Sequence, residues 1–366
     1  MYVQSLELND FRNYNNLNIT FDIGTNILYG NNAQGKTNIL EAIYLFGTSK
    51  SHRGSKDKDM IRFECGESHM KMVVMKNDTP VRIDMHLKKN KTKGIAINGI
   101  PIKKVSELFG LINVVFFSPE DLSIIKSGPA ERRIFIDLEL CQLDKLYVYN
   151  LMNYNKIVNQ RNQLLKNLNY YYDKELYSTL DVWDMQLADY GSKIITRRSQ
   201  FIEDLNEIIY GIHRNITNGK EELYIKYEPN ILDNNLYNEL IKNREKDIKY
   251  KTTSVGPHRD DICFYDKDID LRKYGSQGQQ RTAALSLKLS EIELVKSVIK
   301  DMPVLLLDDV LSELDSNRQS HLLNSLHNVQ TIITCTGLDE FIQNRFSIDN
   351  VYKVVEGTVE RSNNEQ

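Results

Sequence analysis

Cysteine is sparse in this chain. The four thiols, Cys65, Cys141, Cys263 and Cys335, stand far apart with no CxxC pair and no histidine at ligand spacing, which argues against a disulfide framework and leaves no sequence signature of a zinc site. A reducing cytoplasm is expected. Long apolar runs are missing too: no window of about eighteen residues is free of charge, and the N-terminus lacks a charged start followed by an apolar stretch. Neither export nor a membrane partner is expected. There is also no excess of either charge, since 47 lysines and arginines face 50 aspartates and glutamates, for a formal net charge of -3. This argues against wholesale coating of nucleic acid, and any such contact must come from local basic patches.

What is present suffices for two lobes: 366 residues, 41% of them hydrophobic, exceed the size at which a single core keeps growing. In "LNITF" (17–21) apolar and polar residues alternate, and Ile27 to Tyr29 is a second short apolar run, so the N-terminus reads as strands. Ile39, Ile43 and Phe46 then recur at helical spacing in "TNILEAIYLF". Between strand and helix lies "YGNNAQGKTN" (29–38), which fills every place of GxxxxGK[ST] with Gly30, Gly35, Lys36 and Thr37. Glycines let such a loop curl so that its N–H groups face a β-phosphate, and the following helix adds its positive N-terminus. The nucleotide loop is therefore Gly30, Asn31, Asn32, Ala33, Gln34, Gly35, Lys36, Thr37 and Asn38, with Lys36 reaching the β- and γ-phosphates of ATP and Thr37 completing the shell of Mg²⁺.

Such a loop needs a carboxylate at the tip of a neighbouring strand, and "PVLLLDDVLSELD" supplies it. Asp308 is the expected Mg²⁺ ligand, and Asp309 is placed to orient or deprotonate the attacking water, unless it only caps a helix or faces solvent. Upstream, "YGSQGQQRTAALSLKLSEIELVK" marks a long amphipathic helix with Ser276 and Gly278 just before its start, where free N–H groups can bind an anion; alone, that pattern is also a common cap.

From about Leu122 to Lys249 the composition changes, with tyrosine and asparagine frequent, glycine and proline rare, and apolar residues at helical spacing, as in "LYVYNLMNYNKIVNQRNQLL". The chain thus divides into an α/β lobe in two parts, 1–121 and 251–366, and a mostly helical lobe at 122–250. Short apolar runs return in "VLLL" and "TIIT", as buried parallel strands would. The final "RSNNEQ" reads as a frayed tail. A site built by both ends of a chain around a helical insert is the layout of an ABC-type ATPase head, a mixed sheet with flanking helices.

The chain resembles the RecF family of bacterial DNA repair proteins, which is related to the heads of SMC and Rad50. The resemblance runs nearly its whole length and rests on "LNDFRNY" (8–14), "GNNAQGKTNILEAI" (30–43), "VVFFSPEDL" (114–122), "GPAERRIFID" (128–137), "VGPHRDDI" (255–262), "YGSQGQQR" (274–281) and "VLLLDDVLSELD" (304–315). It implies that Ser276, Gln277, Gly278, Gln279 and Gln280 stand where ABC proteins carry the signature that contacts the γ-phosphate of a second subunit, so that ATP is sandwiched in a homodimer. It implies nucleotide-proximal roles for Arg12 and Arg53, which could otherwise be solvated or DNA-facing charges, and an interface loop at Ser312 to Asp315. It also implies an ATP-dependent, cytoplasmic and nucleoid-associated protein of recombinational repair and replication restart. Such a protein binds single- and double-stranded DNA at gap junctions and helps RecR and RecO load the recombinase. "GPHRDD" could be only a turn before a strand.

Two departures bear on rate. "FFSPEDL" offers Glu120 or Asp121 where related heads carry glutamine, and "TIITCT" puts Thr336 where they carry a switch histidine. A threonine is neither a cation nor a strong base at neutral pH, so slow hydrolysis is expected; with the resemblance, the expected enzyme is a weak, DNA-stimulated ATPase. The rival readings are an SMC-like tether, for which the insert is too short to form long heptad arms, and a small-molecule P-loop kinase, which leaves "YGSQGQQR" unexplained. The basic run "SKSHRGSKDK" (49–58) is expected to touch DNA phosphates; "KKNKTK" (88–93) reads equally as a solvated loop.

Overall fold

The computed structural model describes residues 1–170, 174–232, 235–324, 326, 328–337 and 349–362. The chain forms two compact units, one of residues 1–121 with 285–366 and the other of 122–284. The sequence placed 251–284 with the C-terminal α/β part. The second unit holds them because the strand Asp261–Asp266 pairs antiparallel with Leu223–Glu228, and because Arg132 grips Asp261 through Nε at 2.6 Å and a terminal nitrogen at 2.9 Å. Of the expected frayed tail, Arg361 and Ser362 end the strand Thr358–Ser362, and 363–366 lie outside the described residues.

The first unit contains two six-stranded sheets. One runs, in spatial order, Thr358–Ser362, Asn350–Val355, Thr25–Tyr29, Thr331–Cys335, Val304–Asp308 and Val114–Phe117; all its pairings are parallel except that of the first two. Its inner strands are apolar on both faces, with Ile27, Leu28, Leu305, Leu306, Leu307 and Ile332 fully buried, as expected for a parallel sheet covered on both sides. Against it packs the helix Lys36–Thr48, whose Ile39, Leu40, Ile43, Leu45 and Phe46 are 0% exposed, each contributing about 1.5–3 kcal/mol by burial. The second sheet is antiparallel and built mainly from Tyr2–Phe11, Tyr14–Thr20, Glu67–Lys76, Thr79–Lys88 and Lys91–Ile97, with in-out alternation from Glu67 to Val74.

The second unit is mostly helical, as its composition indicated. Helices Lys145–Tyr170 and Lys174–Ile216 share a cluster of Leu164, Leu165, Leu168 and Leu180. Two buried arginines are held by carboxylates: Arg161 donates to Asp184 at 2.6 Å and Asp247 at 2.7 Å, and Arg198 donates to Asp260, Asp137, the Tyr147 hydroxyl and the Pro257 carbonyl. Such partners offset the desolvation of an interior guanidinium. "GPHRDD" forms a short turn before a strand. Tyr154 donates its hydroxyl to His258 Nδ1 at 2.7 Å, because the other ring nitrogen faces the Thr253 carbonyl and must carry the proton.

Candidate nucleotide site

The strand Thr25–Tyr29 runs into a loop whose backbone only glycine accommodates at two points. Gly30 has φ 153 and a Cβ there would meet the Val354 carbonyl oxygen at 2.4 Å; Gly35 has φ 118 and a Cβ would lie 2.6 Å from Asn13 Nδ2. The loop is braced from outside. Asn13 Nδ2 donates to the Gln34 carbonyl at 2.9 Å, the Tyr14 hydroxyl to the Gly35 carbonyl at 3.1 Å, and the Gly357 N–H to the Gln34 carbonyl at 3.1 Å. Asn38 in turn donates to Asn13 Oδ1 at 2.8 Å. A pre-formed cradle of this kind spares a ligand the cost of ordering it.

Lys36 is 7% exposed and its ammonium caps the loop's own carbonyls, donating to Gly30 O at 2.6 Å and Asn31 O at 2.9 Å. Burial lowers its pKa, opposed by the charges of Asp309, Cys335 and Asp308. The Thr37 hydroxyl donates to Asp308 Oδ1 at 2.8 Å across 271 residues of sequence. Strand order explains the meeting: Val304–Asp308 lies one strand from Thr25–Tyr29, with Thr331–Cys335 between.

That intervening strand carries a residue that sequence reasoning missed. Asp308 is in register with Thr334, whose hydroxyl donates to Asp308 Oδ1 at 2.7 Å and accepts the Asp309 N–H at 3.0 Å. Asp309 adopts φ 53, a left-handed conformation that Asp tolerates better than most residues. A cavity of about 300 Å³ is lined by Asn32 to Asn38, Arg53, Asp308, Asp309 and Thr334. Thr336, the residue expected in place of a switch histidine, lies beyond the strand end and is exposed.

Arg53 reaches the cavity and donates to Asn38 Oδ1 at 3.2 Å. Arg12 is not among the lining residues; its guanidinium grips Glu41 with two bonds of 2.7 Å and donates to the Ser55 hydroxyl and the Asp59 carbonyl. Glu41 sits one turn beyond Thr37 and is 0% exposed. Burial raises its carboxyl pKa, but hydrogen bonds from Arg12 and Ser51 and the Arg12 charge outweigh this and hold it below the usual value. Arg12 therefore ties the helix of the loop to the basic run 49–58, which no motif spacing revealed. In that run His52 packs on Phe116 with ring centroids 4.3 Å apart, and burial pushes its pKa down to about 4. Lys93 of "KKNKTK" joins the same run, donating to the Ser49 carbonyl and to Asp57.

Of the two substitutes for the missing glutamine, Glu120 is exposed, while Asp121 accepts the Ser118 N–H at 2.7 Å and has its carboxyl pKa raised by burial. Ser312 donates to the Asp309 carbonyl, and Asp315 caps the helix Ser316–Asn324 by accepting the Arg318 N–H at 2.9 Å. Ser276 to Gln279 belong to the second unit. There Ser276 and Gln279 bond reciprocally, Gln279 N–H to the Ser276 hydroxyl at 3.2 Å and Ser276 N–H to Gln279 Oε1 at 3.0 Å, a capping box at the start of Gln277–Ile299. Ser276, Gln277 and Gly278 are exposed.

Comparison with known proteins sets this geometry in context. The family described as "RecF/RecN/SMC N terminal domain" matches residues 2–360. A protein of Agathobacter rectalis named DNA replication and repair protein RecF is 64% identical over 360 residues, 98% of this chain and 99% of that one. One of the same name from Clostridium botulinum is 48% identical over 345 residues, 93% of this chain and 94% of that one. Among solved structures, one described as the recombination mediator protein RecF-ATP in the RecFOR pathway is 37% identical, with a TM-score of 0.92 over 99% of this chain and 98% of that one. An SMC head bound to a domain of ScpA, 17% identical with a TM-score of 0.57 over 100% of this chain and 98% of that one, shares the fold.

Proposed function

This chain belongs to the RecF family of DNA replication and repair proteins, and from that premise we propose that it is an ATP-driven DNA-binding switch. ATP closes a homodimer on gaps and single-strand/double-strand junctions, and slow hydrolysis reopens it. The observation that carries this reading is the meeting of Thr37 and Asp308 beneath a braced glycine loop. The two oxygens are hard donors that suit Mg²⁺. When bound there, the ion would neutralise charge on the phosphate oxygens.

The remaining roles belong to side chains of this chain. Lys36 would leave the Gly30 and Asn31 carbonyls for the β- and γ-phosphates, a charge-assisted exchange. Thr334 would hold Asp308 and the Asp309 backbone in place, leaving the Asp309 carboxylate to orient or deprotonate water. Ser276 to Gln279 would meet the γ-phosphate held by a second copy, with the exposed Ser276 hydroxyl keeping its proton to donate. Arg53 would sense the nucleotide, and the exposed lysines of 49–58 would face DNA, coupling the two ligands through the Arg12–Glu41 clamp. With Thr336 exposed, hydrolysis is weak and DNA-stimulated, and RecR and RecO are the partners in loading the recombinase. Among the described residues no helix is long and apolar enough to cross a membrane, and we place the protein in the cytoplasm at the nucleoid.

A titration of gapped duplex with and without ATP tests the reading. The wild-type chain should bind more tightly with ATP, and Lys36→Met should show no ATP effect. Equal affinity in all four conditions would refute the switch.

A further inference from the structure

The antiparallel sheet of the first unit has an outward face that the nucleotide site does not use. Along Glu67–Lys76 the side chains alternate, so Glu67 and His69 stand outward while Ser68 and Met70 are buried. On the neighbouring strand His86 is the direct cross-strand partner of His69, and Lys88 that of Glu67. The two imidazoles stack with centroids 3.7 Å apart and planes 27° apart. Both turn a nitrogen to the same carboxylate: His86 Nε2 lies 3.1 Å from Glu67 Oε2, and His69 Nε2 lies 3.6 Å from Glu67 Oε1. Beyond His86, the next strand places Gly94 directly opposite it, a residue with no side chain.

We propose that Glu67, His69 and His86 form a binding site for a borderline divalent transition ion, zinc foremost. One donor atom from each lies within 4.8 Å of the other two, so modest side-chain rotation brings all three to the ~2.0–2.2 Å that zinc requires of nitrogen and carboxylate ligands. Two imidazoles and one carboxylate favour such an ion over Mg²⁺, which prefers an all-oxygen octahedral shell. The site is therefore chemically distinct from the Thr37–Asp308 pair. The competing cation is Lys88, 3.5 Å from Glu67 in an exposed pair of little worth.

Position gives the ion a structural effect. Glu67 and Lys88 pair at the open end of the hairpin, and Lys76 and Thr79 at its turn, so a shared ion staples the strands where the turn does not hold them. A second cluster, Glu228, Asp261 and Cys263, lacks these features: Asp261 is taken by Arg132, and the Cys263 thiol donates to Glu228 with its pKa raised to about 11 by burial. It is the natural control.

The test is calorimetric titration of ZnCl₂ into the full chain, stripped with chelator and held in millimolar Mg²⁺. The wild type should take up zinc saturably at one ion per chain, and Cys263→Ser should do the same. The double variant His69→Gln, His86→Gln should bind at least ~10-fold more weakly. Glu67, His69 and His86 stand on the outward face, so circular dichroism should show their variants folded; Cys263 is buried, and the same measurement checks that Cys263→Ser keeps the fold. As an independent readout, zinc should raise the melting temperature of the wild type but not of Glu67→Gln. Absence of saturable uptake by the wild type, unchanged affinity in the double histidine variant, or loss of uptake in Cys263→Ser would each overturn the assignment.

Discussion

Replacing Thr334 by valine keeps the shape of a side chain that is 2% exposed and deletes only its hydroxyl. The two short bonds are lost, the donated one to Asp308 at 2.7 Å and the accepted one from the Asp309 N–H at 3.0 Å, along with a long 3.5 Å contact to the Leu307 carbonyl that shares the same proton. A hydrogen bond to a charged group contributes about 1.5–3 kcal/mol. Two features reduce the figure here: Thr37 also donates to Asp308 Oδ1, and the Asp309 N–H keeps the Thr334 carbonyl at 3.3 Å. A net loss of about 1–2 kcal/mol is expected, and since about 1.4 kcal/mol is tenfold, the Mg²⁺ concentration for half-maximal ATP hydrolysis should rise about 5- to 30-fold. Thr334→Ser retains the hydroxyl and should stay within about threefold of wild type. ATPase rates across a Mg²⁺ series, with nucleotide binding measured in parallel, give the answer. A valine variant with wild-type metal dependence would show that Thr334 is only core packing and that Asp308 needs no support from it.

Lys36→Met removes the ammonium from the loop while preserving length and helix propensity, so ATP affinity measured by titration should fall at least ~10-fold. Asp309→Asn should leave ATP bound while light scattering shows a persistent dimer, because an amide cannot serve as the base although Asp308 is intact. Glu41→Gln takes the charge partner from Arg12 and should cost about 2–3 kcal/mol in denaturant unfolding, below the range for breaking a fully buried pair because Arg12 is 19% exposed. Since the folded value for Glu41 is depressed, its stabilising contribution is present above the unfolded value of 4.5 and is lost as pH falls through the folded one, so wild type should lose more stability than Glu41→Gln in that acid range. His258 behaves likewise at higher pH. Burial pushes it down from 6.5 to about 4, the unfolded chain takes up the proton first, and stability should decline between those values with a smaller slope in His258→Gln.

The nucleotide loop was legible because its chemistry is local. Gly30, Gly35, Lys36 and Thr37 lie within eight positions, and their strand and helix follow from neighbouring periodicity. The place of Asp308 at a strand tip was legible because four buried-strand residues precede it. Strand order was not legible, since parallel neighbours come from distant sequence and nothing in "TIIT" says that its strand separates the other two. Thr334 was missed for that reason: its partner is set by register across the sheet. The Arg12–Glu41 clamp was hidden because an arginine in a hairpin turn has many outlets, and a glutamate at one turn past Thr37 reads as an ordinary helix residue. The edge of the helical lobe was misplaced because Asp261–Asp266 is a strand, and composition cannot tell which unit a strand pairs into.

The central claim is that ATP is held between two copies and that closure creates the DNA-binding form. Ser276→Arg tests it most directly, because Ser276 lies in the second unit at an exposed helix start and its replacement leaves the glycine loop, Lys36 and Asp308 untouched. Sedimentation with and without ATP, run beside a titration of gapped DNA, reads both consequences. The account predicts that the variant binds ATP as a monomer with near-wild-type affinity, yet neither doubles its mass nor tightens on DNA when ATP is added. A Ser276→Arg chain that dimerises with ATP as the wild type does would contradict the sandwich.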